Sequence, residues 1–127
     1  MSSLYSPYRA IGYVCDSNAF SVNRLGEEIF VTVSIGRCFQ IYRLNKLVAC
    51  LVSKAAPGNI AGVQAIDHET FVAVDKNIIV YDRANIVRTY EAQDERIVGM
   101  ISVGKTLVSY DEENHVKVYT LMHSALY

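Results

Sequence analysis

Cysteine is scarce in this chain. Cys15, Cys38 and Cys50 are odd in number and lie 23 and 12 residues apart. That fits neither a disulfide framework nor a short C-x2-C zinc pair; the three read as buried, reduced thiols acting as small apolar groups. A surplus of charge is also missing. Twelve Lys and Arg against thirteen Asp and Glu leave a net charge of −1, which excludes a strongly basic nucleic-acid module and an acidic tail. No apolar run approaches the ~20 residues of a membrane-spanning helix. The opening Met1-Ser2-Ser3-Leu4-Tyr5-Ser6-Pro7 has neither a basic region nor an apolar stretch of the kind that starts a secretory signal. What is present is 51% hydrophobic and 20% charged residues over 127 positions. This is enough for one globular domain with a real core, expected to be soluble and to sit in a reducing compartment.

The dominant pattern is apolar alternation at period two, the signature of half-buried strands. Phe30–Ser34 and Cys38–Tyr42 flank a glycine-containing turn. Thr70–Val74 and Ile78–Asp82 flank Asp75-Lys76-Asn77, and Thr106–Tyr110 and His115–Thr120 flank Asp111-Glu112-Glu113-Asn114. Each pair is a hairpin signal. Further β-prone runs follow two of them at Lys46–Val52 and Asn85–Tyr90, and others precede two of them at Ile60–Ile66 and Arg96–Ile101. No stretch of ten residues keeps a helical stripe, so the chain reads as all-β.

The hairpins repeat. Ile41-Tyr42-Arg43, Val80-Tyr81-Asp82 and Val118-Tyr119-Thr120 end the three units, with the tyrosines 39 and 38 residues apart. Four strands in about 40 residues is the period of a propeller blade. An apolar–aromatic–polar triplet ending the third strand stands where WD repeats carry Trp-Asp. Tryptophan is absent here, and tyrosine takes its place. The expected fold is an incomplete WD-repeat-like β-propeller over residues 1–127, with blade-like units at about 18–53, 59–91 and 95–121. Tyr42, Tyr81 and Tyr119 are its expected anchors between blades. Propellers close with typically 4 to 8 blades, so three point to part of something longer in preference to closure by pairing with other copies.

One sequence matches a nucleotide-binding expression. Gly99-Met100-Ile101-Ser102-Val103-Gly104-Lys105-Thr106 reads G-x-x-x-x-G-K-T. A phosphate-binding loop needs flexible backbone and a helix opening at the Lys-Thr pair. Here Met, Ile and Val fill the middle and Leu107-Val108-Ser109-Tyr110 follows as a strand, which makes residues 103–106 a turn between strands. His68, His115 and His123 lack metal-ligand spacing, no G-x-S-x-G elbow is present, and Asp111-Glu112-Glu113 reads as a solvated hairpin tip. Neither an enzyme nor a cofactor is expected. Charge is nonetheless uneven: residues 29–66 hold no acid but carry Arg37, Arg43, Lys46 and Lys54. These four form a candidate basic rim toward RNA or an acidic partner.

Three segments go beyond generic repeat character. Pro7-Tyr8-Arg9-Ala10-Ile11-Gly12-Tyr13-Val14, the run Phe30 to Tyr42 with its Ile35-Gly36-Arg37-Cys38-Phe39 centre, and Asn45 to Ser53 resemble the opening of one eukaryotic family. It is the large WD-repeat subunit of the small-subunit processome, part of the UTP-B subcomplex associated with the U3 small nucleolar ribonucleoprotein. The resemblance covers nearly the whole chain but only the beginning of the family's length, which looks like tandem propellers followed by a helical region. It implies a nucleolar scaffold in pre-rRNA processing and small-subunit assembly, with no catalytic residues to carry over. The implied partners are other UTP-B proteins and snoRNA or pre-rRNA, with no membrane and no small-molecule substrate. The alternative is a generic WD-repeat adaptor in trafficking or ubiquitin ligation.

Overall fold

The computed structural model describes residues 20–44, 48–122 and 125–126. Segment 7–14 of the family resemblance, Cys15, Lys46 and His123 lie outside them. The described residues form twelve strands in three antiparallel four-stranded sheets, each wound in chain order. Blade 1 is β1 (Phe20–Leu25), β2 (Glu28–Ile35), β3 (Cys38–Arg43) and β4 (Val48–Val52). Blade 2 is β5 (Gly62–Ile66), β6 (Glu69–Val74), β7 (Asn77–Asp82) and β8 (Asn85–Glu91). Blade 3 is β9 (Ile97–Val103), β10 (Thr106–Asp111), β11 (Val116–Met122) and β12 (Ala125–Leu126).

Two-residue turns join most strands, and their first residue takes the left-handed backbone region. Gly26, Gly36 and Gly104 do so without a Cβ to resist it, at φ near +60°. Asp67 and Asp75 take the same role, as short polar side chains tolerate it, and Arg83 does so at φ 58°.

The blades stack face to face, and the two central strands of the middle one are covered on both faces. Phe71-Val72-Ala73-Val74 and Ile78-Ile79-Val80-Tyr81 are buried at every position. Alternate residues of these strands therefore enter two different cores. Toward blade 1, Val63, Val72, Ile79 and Tyr81 meet Phe39 and Ile60. Toward blade 3, Phe71, Ile78 and Val80 meet Ile97, Met100 and Leu107. At the inner edge β5 lies against both β1 and β9, with polar ties across each seam. Ser21 Oγ accepts from Ala65 N at 3.1 Å. Gln64 donates to the Met100 carbonyl at 3.2 Å and accepts from Ser102 Oγ at 2.8 Å.

The connections are stitched down by a repeated rule. Ala56 N and Ile60 N donate to the Arg37 and Gly36 carbonyls, and Ala92 N and Ile97 N donate to those of Lys76 and Asp75. The loop leaving each outer strand is thus fixed to the second turn of the blade it leaves. A tyrosine from the next blade then reaches back. Tyr81 donates to the Lys54 carbonyl and Tyr119 to the Ala92 carbonyl, both at 3.0 Å across 27 residues.

The three repeat tyrosines do not share one environment. Tyr81 is fully buried, edge-on to Phe39 with ring centroids 4.8 Å apart, so it packs between blades 1 and 2. Tyr119 is half-buried against the core between blades 2 and 3. Tyr42 alternates with Ile41 and so lies on the face of blade 1 turned away from blade 2, where its hydroxyl donates to Gln40 on its own strand. No preceding blade exists among the described residues to receive it.

Burial raises the Tyr81 hydroxyl pKa above the ordinary tyrosine value, with nearby Cys38 adding to the effect, so this group is a neutral donor. Truncation of Tyr81 to Ala is expected to cost about 3–5 kcal/mol, and Tyr81→Phe about 1 kcal/mol through loss of one hydrogen bond. Urea unfolding followed by circular dichroism measures both; near-native stability of Tyr81→Ala would remove it as the anchor of that seam.

Candidate interaction surface

Between blades 1 and 2 the seam opens into a cleft of ≈ 500 Å³. Phe30, Ile41 and Leu51 form its apolar wall, while Asp67, His68, Glu69 and Arg83 bring charge from the turns of blade 2. The fully buried Thr32 lines it with a side-chain oxygen that has no hydrogen-bond partner. Most of the surrounding charge is spent locally. Arg43 sits 3.5 Å from Glu28 with its guanidinium 5.7 Å above the Phe30 ring. Glu69 meets Arg88 at 2.7 Å, and Asp67 faces Lys105 of blade 3 at 3.8 Å. The exposed Asp67–Lys105 pair contributes roughly 0–1 kcal/mol. Arg83 makes no ion pair among the described residues.

Of the four basic residues read from the sequence as one rim, the fold places Arg37 and Lys54 at one end of blade 1 and Arg43 at the other. Arg37 occupies the turn before β3 and Arg43 ends that strand, which separates them by roughly 20 Å at the rise of a β-strand. Arg37 is exposed, and its side chain donates to the Ala56 carbonyl at 2.9 Å. Lys54 is exposed in the loop after β4, where its carbonyl receives Tyr81. Lys46 lies outside the described residues. Strand direction decides the matter: a run of like charge along a chain alternates between the two rims of a meander. Lys76 occupies in blade 2 the turn position that Arg37 holds in blade 1, at the same 39-residue spacing as Tyr42 and Tyr81.

The other candidate motifs take structural roles. Gly99–Thr106 spans the end of β9, the Gly104-Lys105 turn and the start of β10, so a strand stands where a phosphate loop needs a helix. At Gly99 the Tyr110 ring lies across the backbone, so a Cβ there would have to displace the phenol. Cys38 is half-buried, but Cys50 is exposed, against the expectation of a buried thiol. The pairings Ile41↔Leu51 and Tyr42↔Ala49 skip Cys50 at a bulge, which turns it out of the ladder. Among the described residues no three His, Cys, Asp or Glu side chains are placed to hold a metal ion. Among the described residues no helix is long and apolar enough to cross a membrane.

The acidic tip of blade 3 is an internal cap. Asp111 is buried, and its carboxylate accepts from Glu113 N and His115 N, both at 2.9 Å, with the His115 ring at 3.3 Å. Burial alone raises its pKa; the two backbone donors and the imidazole together outweigh that and hold it below the ordinary carboxylate value.

Four-stranded antiparallel blades, wound in order and stacked about their first strands, define a WD-repeat β-propeller arc. Solved structures agree on the fold. The WD40 repeats of RRP9 and the structure of U3-55K each match with a TM-score of 0.66 at 9% identity, over 86% of this chain and 35% of theirs. The computationally designed Ika4 protein matches at 0.59 and 10% identity, over 80% of this chain and 64% of that one. No protein-family model matches the chain.

Two sequence relatives share one name. The chain is similar to the U3 small nucleolar RNA-associated protein 21 homolog of Schizosaccharomyces pombe, 27% identical over 128 residues and 99% of its length. It is also similar to U3 small nucleolar RNA-associated protein 21 of Saccharomyces cerevisiae, 32% identical over 83 residues and 65% of its length. It spans 14% and 9% of those two proteins.

Because the Asp111 pKa is lower in the folded chain than in the unfolded one, its contribution to stability is present above the ordinary carboxylate pKa of ~3.9. That contribution is lost as pH falls through the depressed folded value. Asp111→Asn is therefore expected to destabilise the chain at neutral pH, and its gap from the parent should narrow on acidification. Urea midpoints between neutral pH and the acid limb measure this; a gap independent of pH would remove the carboxylate charge from the account.

Proposed function

We propose that this chain serves as a non-catalytic scaffold of ribosome biogenesis, within the small-subunit processome and in the nucleolus. The observation that carries this reading is the similarity, over 99% of the chain, to a protein named for its association with U3 small nucleolar RNA. The fold supports it through what it can do physically. Three stiff sheets, tied together at every seam, hold short turns at fixed positions, and the binding energy comes from those turns and the cleft between blades. Arg37 and Lys76, on equivalent turns, are the candidate contacts to RNA phosphate or an acidic partner. The Arg43–Glu28 pair is instead part of the cleft wall. UTP-B proteins are the expected protein partners, with U3 RNA or pre-rRNA beside them.

The test is affinity capture of the tagged chain from nuclear extract, with mass spectrometry and RNA sequencing of what is retained. Enrichment of U3 RNA and processome proteins is expected, and the double variant Arg37→Glu/Lys76→Glu should lower the RNA recovered. Retention of vesicle-coat or ubiquitin-ligase components instead would replace this reading with that of a generic adaptor. Chaperones alone would overturn it.

A further inference from the structure

The cleft between blades 1 and 2 lies where one position departs from the repeat. Thr32, Ile41 and Leu51 form a row across β2, β3 and β4 on the face of blade 1 that looks toward blade 2. Their counterparts 39 residues on are Phe71, Val80 and Tyr90, which pack into the core between blades 2 and 3. The Phe71 ring is buried in that seam. In blade 1 a threonine stands in its place, and the seam opens into ≈ 500 Å³, inside the ~300–1,000 Å³ usual for ligand sites. Thr32 is fully buried, and its hydroxyl has no partner among the described residues, a destabilising arrangement in the absence of an occupant. Charge leaves one cation over. Glu28, Asp67 and Glu69 face Arg43, Lys105 and Arg88, whereas Arg83 is exposed and makes no ion pair among the described residues. Lys54 N donates to the Ala84 carbonyl at 3.0 Å, which sets the Arg83 turn beside the end of β4. The free cation therefore stands at the Leu51 end of the row.

We propose that this cleft is the docking groove for an extended apolar–acidic segment of a partner protein. Its lining runs from Asn23 on β1 to Leu51 on β4, a width of about 14 Å at ordinary strand spacing, which about four extended residues span. Alternate side chains of such a segment point the same way. Two apolar ones enter beside Phe30, Ile41 and Leu51, and a carboxylate beyond them meets Arg83. A polar group of the segment's backbone supplies the partner that the Thr32 hydroxyl lacks. RNA fits the groove less well. Three carboxylates line it, and the Arg43 guanidinium already lies over the Phe30 ring on which a base would stack. The inference rests on the scaffold reading above only in taking the cleft as a surface that binds partners.

Fluorescence anisotropy of the purified full chain reads the result, with two fluorescein-labelled peptides as probes. Each carries leucines at alternate positions, with an aspartate after the pair in one and before it in the other. Saturable binding of at least one is expected, and lysine in place of its aspartate should weaken it about tenfold. Arg83→Glu should reverse that preference. Thr32→Val removes the hydroxyl and keeps the shape. It should weaken binding about five- to tenfold while raising the urea midpoint; a purely structural threonine would change only the second. Thr32→Phe copies blade 2 and should abolish binding with β-sheet circular dichroism retained; should it unfold, Thr32→Val carries the test. A chain that binds neither peptide overturns the inference, as does binding unchanged in Arg83→Glu and Thr32→Val. A labelled oligouridine that binds instead, and is lost in the same variants, gives the groove to RNA and overturns it too. Capture of U3 RNA from nuclear extract is read separately, so failure of the peptides leaves the processome reading standing.

Discussion

A four-stranded sheet made of valine, isoleucine and phenylalanine has two faces to cover, and every other feature of this molecule follows from how they are covered. Blade 2 solves the problem by lying between two neighbours. Its β6 and β7 bury side chains alternately into two separate cores, which share a backbone but no side chains. Burial at about 25 cal/mol per Å² supplies the attraction, yet apolar area alone would permit sliding. Direction and register come from the polar ties: the Ser21 hydroxyl at one seam, the Gln64 amide at the other, and the tyrosine hydroxyls that reach back to the preceding loop. Stability in such an array is close to a sum of blade terms and nearest-neighbour seams.

Much of this was legible in the sequence because a repeat is a statement made three times. Tyr42, Tyr81 and Tyr119 set the frame, and the hairpins fell around them. The orientation of each tyrosine was not legible. The same residue in the same register faces a core in blade 2 and the open side in blade 1, because its surroundings depend on what comes before it. Period two marked the strands correctly, but in blade 2 both phases are buried, so Phe71–Val74 reads as alternating only by analogy with its neighbours. Cys50 escaped for a local reason, a bulge that no composition reveals. The basic run was divided between two ends of the blade for a geometric one. Arg37 and Arg43 are close in number but stand at opposite ends of one strand, while Arg37 and Lys76 are 39 apart and hold equivalent turns.

The absence of tryptophan has a structural counterpart. A tyrosine presents its polar group at the far tip of the ring, so its hydrogen bond reaches beyond its own blade to a loop carbonyl of the previous one. Burial keeps that hydroxyl neutral in Tyr81. The lock therefore works between blades. Thr32 and Ser109 are both fully buried with oxygens that find no partner, a cost the seams offset elsewhere.

Gln64 gives the arc a grammar. Its amide donates to the Met100 carbonyl and accepts from the Ser102 hydroxyl, both on β9, so one side chain distinguishes the two ends of a polar phrase. Ser21 meets blade 2 in a different dialect, a hydroxyl answering the Ala65 amide. The blades look alike as shapes but are not synonyms: moved into another slot, each would present the wrong sentence to its neighbour. Small polar residues at the seams turn three similar blades into an ordered series.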